Sequence, residues 1–118
     1  MGLFNDQSMK KWQKVETPVP DTDFVMQVVA AGKKLCLIRD QQQLFAIQNT
    51  CPHAGGILSG GWCKHGEIVC PIHRYSYSLK NGRGAAGQGD AIRVYPVEQR
   101  DDGIYVELAE SWFKNLFS

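Results

Sequence analysis

Two stretches decide how this chain is read: Cys51-Pro-His-Ala-Gly-Gly-Ile-Leu-Ser-Gly-Gly-Trp62 and Ile68-Val-Cys-Pro-Ile-His-Arg-Tyr-Ser-Tyr77. Each holds a cysteine and a histidine a few positions apart, Cys51 with His53 and Cys70 with His73, and residues 54–69 lie between the pairs. One tight loop can therefore present a soft thiolate together with an imidazole. Pro52 and Pro71 fix the backbone and remove a donor, which suits a loop that must keep its shape around a bound group. The glycines at 55, 56, 60 and 61 permit tight turns and close approach of backbone N–H groups. Zinc takes a Cys₂His₂ set as a tetrahedral structural site. A [2Fe–2S] cluster takes the same set with two Cys on one iron and two His on the other. A zinc-finger spacing keeps like ligands together, whereas here they alternate. Across a binuclear cluster each loop would then serve both irons. That geometry favours the cluster, although spacing alone leaves zinc open.

Working outward, the pattern is β. Phe24–Ala30, Leu35–Arg39 and Leu44–Gln48 are short apolar runs divided by turns at Ala31–Lys34 and Asp40–Gln43. Ile68–Cys70 and Tyr75–Leu79 read as shorter strands, and Lys80–Asp90, with its glycines, as a loop. Ala91–Glu98 alternates around Pro96. Asp101-Asp102-Gly103 is a hairpin turn into Ile104–Leu108. The expectation is an all-β antiparallel sandwich or pair of small barrels, in one domain over 9–108. A cluster-binding subdomain is expected at about 48–85. The tail, 109–118, reads as a short helix, because Leu108, Trp112 and Leu116 repeat at four-residue steps beside Phe113 and Phe117.

Composition sets the outer limits. The 118 residues are 43% apolar and 21% charged, which suffices for one core and hardly for two. A chain of this size buries roughly 65% of its unfolded surface and needs no staples. The net charge is +1, so nucleic acid is not a favoured partner. No apolar run approaches the roughly 18 residues of a spanning helix. The start, Met1-Gly-Leu-Phe-Asn-Asp6, carries no secretion pattern, and Asp6 breaks the myristoylation pattern. Four cysteines among histidines in such a chain point to metal binding in a reducing, cytoplasmic setting rather than to disulfides. Cys36 reads as a small core residue, and Cys63 and His65 as strand or turn residues. Gly82-Arg-Gly-Ala-Ala-Gly87 matches a dinucleotide fingerprint without the helix that such a site needs, and is rejected.

The two opening stretches resemble the Rieske motif, Cys-x-His followed about sixteen residues later by Cys-x₂-His. Leu58-Ser59, Gly61, Asn81-Gly-Arg83, Tyr95-Pro-Val97 and Gly103–Leu108 extend the likeness over roughly residues 12–108. The resemblance implies the Rieske (ISP-domain) fold and one [2Fe–2S] cluster per chain. Cys51 and Cys70 would bind the inner iron, and His53 and His73 the outer one. The respiratory branch of that family carries two further cysteines as a disulfide. Gly56 and Ile72 stand at those positions, so that bridge cannot form. The same branch has Ser where this chain has Tyr75. A lost hydrogen bond to sulfur argues for the low end of the Rieske range of about −150 to +300 mV. Tyr77 matches a family aromatic position and either offers its hydroxyl to a cysteine sulfur or only packs. Arg74 replaces the usual glycine. It either places a cation beside the exposed imidazole or points to solvent.

Both irons of such a cluster are fully coordinated, so outer-sphere electron transfer is the expected work. An oxygenase would add a mononuclear iron with two more histidines, and only His65 remains. The leading expectation is a Rieske-type ferredoxin without catalysis of its own. It would take electrons from a reductase, pass them to an oxygenase-like acceptor, and bind no small-molecule substrate and no membrane. The small Rieske subunit of an assimilatory nitrite reductase is the second reading. A zinc-stabilised structural module is the third.

Overall fold

Strand formation follows the alternation of apolar side chains. The computed structural model describes residues 10–53 and 55–109. Within them the strands are β1 (Lys10–Lys14), β2 (Phe24–Ala30), β3 (Lys33–Asp40), β4 (Gln43–Gln48), β5 (Trp62–Lys64), β6 (Glu67–Val69), β7 (Ser76–Ser78), β8 (Val94–Tyr95), β9 (Val97–Arg100) and β10 (Gly103–Ala109). A single 3₁₀ turn occupies Leu58–Gly60. The strands form three antiparallel sheets ordered β1-β10-β9, β2-β3-β4-β8 and β5-β6-β7.

The wall of the molecule is β3. Its run Leu35-Cys-Leu-Ile38 is buried on both faces. Successive side chains of a strand point to opposite sides. Cys36 and Ile38 therefore enter one core, with Ile47, Cys51, Leu58, Ile68, Cys70 and Tyr77. Leu35 and Leu37 enter the other, with Val28, Ala46, Ile104, Val106 and Leu108. Each fully buried Leu or Ile contributes roughly 1.5–3 kcal/mol of apolar transfer. One core thus joins the four-stranded sheet to the β1-β10-β9 sheet, and the other joins it to both metal-loop candidates.

Three hairpins use two-residue turns with positive φ at both positions: Ala31-Gly32 (52° and 77°), Gln41-Gln42 (52° and 70°) and His65-Gly66 (53° and 77°). These are type I′ turns, whose twist matches that of the flanking strands. They lock register, so the inward set of β3 cannot slip outward. β4 pairs with β8 although residues 49–93 intervene, and the β5-β6-β7 sheet falls within that stretch.

The structure departs from the sequence expectation at several places. β1, Lys-Lys-Trp-Gln-Lys, has no apolar alternation and forms because β10 offers it a partner, Lys10 to Ala109 through Lys14 to Tyr105. Its lysines suit an edge strand. Ala109, expected to open a helix, instead ends β10 for the same reason. The rest of the expected helix, 110–118, lies outside the described residues. The run Ala91–Glu98 is split at Pro96, which has no N–H for a ladder. Its carbonyl accepts the Glu107 N–H at 3.0 Å. Leu37→Ala, at the centre of the wall, is expected to cost about 2–5 kcal/mol, read as a lower urea midpoint with an unchanged slope.

Candidate metal centre

The first loop leaves β4 at Asn49, a buried polar residue. Its side-chain amide donates to Gln27 Oε1 at 2.9 Å, and its Oδ1 accepts the Ser59 N–H at 2.8 Å. Its carbonyl accepts the Leu58 N–H at 2.7 Å. Asn49 thereby ties β2, β4 and the 3₁₀ turn together just before Cys51. The loop then closes on itself. The Cys51 N–H donates to the Gly56 carbonyl at 2.7 Å, and the Gly55 N–H donates to the Cys51 carbonyl at 2.9 Å.

The second loop joins β6 to β7. The Cys70 N–H donates to the Tyr75 carbonyl at 2.7 Å, which pinches its base. Its tip holds His73 and Arg74 at φ of 63° and 57°. Left-handed backbone costs a residue with a Cβ roughly 1–2 kcal/mol. That explains in physical terms why glycine suits position 74 and why Arg74 is the unusual choice. Arg74 is exposed and lines a cleft with Trp62, Lys64, Glu67 and Ser76.

The two loops meet with a clear polarity. Cys51 and Cys70 lie 1% and 0% exposed in the same core, while His53 and His73 are exposed. The imidazole centroids are 5.8 Å apart at 66°. Tyr75 stacks on His53 at 3.9 Å and 6°, covering one face of that ring. Burial pushes the Cys70 thiol up, and Cys51 beside it pushes the same way against the Ile72 N–H. Two neighbouring buried sulfurs resist becoming anions unless a cation sits between them. Close packing also makes position 56 tight for any side chain. A Cβ there would lie 3.0 Å from both Cys70 Sγ and Ile72 Cδ1. Gly56 and Ile72 are thus juxtaposed, at the positions where the respiratory branch was expected to place its bridge. Among the described residues no three of His, Cys, Asp and Glu gather about one point as a mononuclear metal would need. The donors come as a buried pair and an exposed pair.

Tyr77 does more than pack. It is fully buried, with its hydroxyl 3.4 Å from Cys51 Sγ. The same hydroxyl donates to Asp90 Oδ2 at 3.0 Å. Burial, then the hydrogen bonds to Cys51 and Asp90, pushes its pKa above the ordinary tyrosine range. Asp90 and Asn49 carry no local signal, since nothing in the spacing from 77 to 90 or from 49 to 59 marks a contact.

The remaining candidates stand elsewhere. Cys36 is a core residue of β3. Cys63 is in β5, half-buried, with Cys36, Asp40 and Asp23 as its electrostatic neighbours. His65 is a turn residue. After Gly87 the chain runs to β8 without a helix, so the glycine fingerprint cradles no phosphate. No helix among the described residues is long and apolar enough to cross a membrane.

The model of the Rieske [2Fe-2S] domain family matches residues 11–96. The chain belongs to that family. The cofactor of a Rieske chain is a [2Fe–2S] cluster, and the buried thiols, the exposed imidazoles and the glycine backbone packed against Cys70 Sγ fit it. The ferredoxin component of the naphthalene 1,2-dioxygenase system of Pseudomonas aeruginosa is 29% identical over 92 residues, which is 77% of this chain and 88% of that one. A chain in the solved complex of reduced oxygenase and oxidized ferredoxin of carbazole 1,9a-dioxygenase is 27% identical. It superposes with a TM-score of 0.66 over 80% of this chain and 91% of its own. The terminal oxygenase of carbazole 1,9a-dioxygenase from Nocardioides aromaticivorans IC177 matches at 25% identity and a TM-score of 0.64. There the similarity covers 80% of this chain but 29% of the oxygenase.

Burial pushes the Cys63 thiol up to about 11, with Asp40 and Asp23 adding to it, and Cys36 up to about 12. Both are then neutral at pH 8, and only the thiolate is nucleophilic. Alkylation of Cys63 by iodoacetamide is expected to be slow at pH 8 and to rise about tenfold per pH unit toward its pKa, as followed by mass spectrometry of the native protein.

Proposed function

We propose that this chain is a Rieske-type ferredoxin. It carries single electrons on a [2Fe–2S] cluster held by Cys51, His53, Cys70 and His73, from a reductase to a terminal oxygenase. The observation that carries this reading is the polarity of the donor set, with two sulfurs inside and two imidazole rings at the surface. When bound, the cluster supplies a site that stores one electron. The chain's own residues do the rest. Cys51 and Cys70 would hold one iron against the core, and His53 and His73 would hold the other within reach of a partner. Two protein ligands per iron match a donor set that comes in pairs. Residues 48–85 act as the cluster-binding unit of one domain spanning 9–108. A reducing, cytoplasmic setting suits its four cysteines, none of them in a disulfide among the described residues.

The named relatives are ferredoxin components of dioxygenase systems, which favours this carrier over a nitrite reductase subunit. Ile57, Trp62 and Ile72 stay 50%, 44% and 42% exposed. Ile57 belongs to the first metal loop and Ile72 to the second. Exposed apolar side chains on the loops that carry the imidazoles suit a transient protein partner, which releases water from them on docking. Tyr75 holds the His53 ring in one orientation for that encounter.

Alanine substitution tests the ligand set. Cys51→Ala, His53→Ala, Cys70→Ala and His73→Ala are each expected to abolish the reduced-state paramagnetic signal and the labile sulfide. Cys36→Ala, Cys63→Ala and His65→Ala keep both. Retention of the cluster in any of the first four, or zinc as the sole metal of the native protein, overturns the assignment. Ile72→Gln, which removes the apolar contact without adding charge, is expected to slow reduction of the oxygenase several-fold while leaving the midpoint potential nearly fixed, because it alters docking and not the iron ligands. A potential shift of matching size instead would remove Ile72 from the docking face.

A further inference from the structure

The Tyr77 hydroxyl has one proton and two acceptors within reach. Asp90 Oδ2 lies at 3.0 Å and Cys51 Sγ at 3.4 Å. An ionised carboxylate is the stronger acceptor, because charge-assisted hydrogen bonds are roughly twice as strong as neutral ones. Sulfur bound to a ferric ion has its charge partly withdrawn by the metal and accepts more weakly. We propose that Asp90 is a positioning residue that holds the Tyr77 hydroxyl proton away from the Cys51 sulfur, and thereby keeps the reduction potential of the bound cluster low. This rests on Cys51 being an iron ligand.

The loop after β7 is built around that carboxylate. Gln88 Nε2 donates to Asp90 Oδ1 at 3.3 Å, leaving Oδ2 for the tyrosine. Gln88 is itself fixed at both ends of its amide by Ser76. It accepts the Ser76 N–H at 3.1 Å and donates to the Ser76 carbonyl at 3.1 Å. The Gly84 N–H donates to the Asp90 carbonyl at 3.0 Å. A Cβ at 84 would come within 2.7 Å of that carbonyl and of Gln88 Nε2, and within 2.8 Å of Asp90 Oδ1. Only glycine lets the loop wrap Asp90 this closely. β7, the glycine and the glutamine therefore aim one carboxylate oxygen at one hydroxyl, and through it at one sulfur.

The consequence is a reversal of what the tyrosine would do alone. A hydroxyl donating to sulfur stabilises the more negative reduced cluster and raises the potential. A hydroxyl whose proton is held by Asp90 turns a lone pair to the sulfur and gives no such stabilisation. The carboxylate charge acts in the same direction, because it disfavours adding an electron nearby. The two effects are separated by a double-mutant cycle, in which the charge contributes equally with and without the hydroxyl.

The experiment is the midpoint potential of the cluster-loaded full chain in the native form, Y77F, D90N, D90A and the two double variants; D90N removes the charge and keeps a weaker, neutral amide acceptor, and D90A removes the acceptor altogether. Y77F alone is expected to change the reduction equilibrium constant less than about twofold, because the native hydroxyl, with its proton on Asp90, donates none to the iron-bound sulfur. D90N and D90A raise the constant by about tenfold, which is about 59 mV for one electron. Adding Y77F to either then lowers it about fivefold, because the freed proton had moved to the sulfur. The iron–cysteine stretching bands give a readout blind to charge. Y77F leaves them in place in the native background and shifts them in the D90N or D90A background. An additive cycle, or a Y77F change as large in the native chain as beside D90N, overturns the role of Asp90. A native chain that holds no cluster overturns the ligand assignment and this inference together. A loaded chain with an additive cycle overturns this inference alone.

Discussion

Two sulfur atoms buried side by side are the constraint around which the chain is arranged. Cys51 and Cys70 come from separate loops and can be neighbours only if both loop bases are fixed against one core. The core does this through β3, whose inward residues Cys36 and Ile38 pack with Leu58, Ile68 and Tyr77 beneath the sulfurs. Backbone hydrogen bonds then close each loop on its own cysteine, Cys51 to Gly56 and Cys70 to Tyr75. With the sulfurs fixed inward, the short spacing to His53 and His73 carries the imidazoles outward. The asymmetry of the donor set is thus a product of packing, and the chemistry proposed for it follows from the asymmetry.

Legibility in the sequence tracked how local each signal is. β2 begins and ends where its apolar run does, and β3 and β4 extend theirs by a residue or two, because alternation and turn residues are local. The Cys-His pairs were legible for the same reason, each lying within four residues. β1 was not, since its lysines carry no pattern and its strand state comes from β10, nearly the whole chain away. β5 was hidden among glycines and is set by its pairing with β6. The role of Tyr77 stood open between packing and hydrogen bonding. The answer depended on where Cys51 Sγ and Asp90 fall in space, and neither distance is encoded in neighbouring residues.

The unusual backbone also sorts into two kinds. At Ala31, Gln41 and His65 positive φ belongs to type I′ turns and secures strand register. At His73 and Arg74 it belongs to no hairpin turn of that kind and occurs at the tip of the second metal loop. Strain of this sort persists only where surroundings over-determine it. Here the surroundings are the pinched base of the loop and the stacked rings of His53 and Tyr75. The chain keeps non-glycine residues in left-handed backbone at that tip, with the Arg74 side chain in the solvent-facing cleft beside Trp62.

Both imidazoles occupy a single end of the molecule, and the far side of the β3 wall is filled by a second apolar core. On the proposed reading, the partner that delivers an electron and the partner that collects it need the same small area. They cannot sit there together. The carrier must let go of one before meeting the other, so it works as a ferry and not as a wire. Tight binding to either side would then be a handicap, and an excess of the idle partner would slow traffic by occupying the only berth.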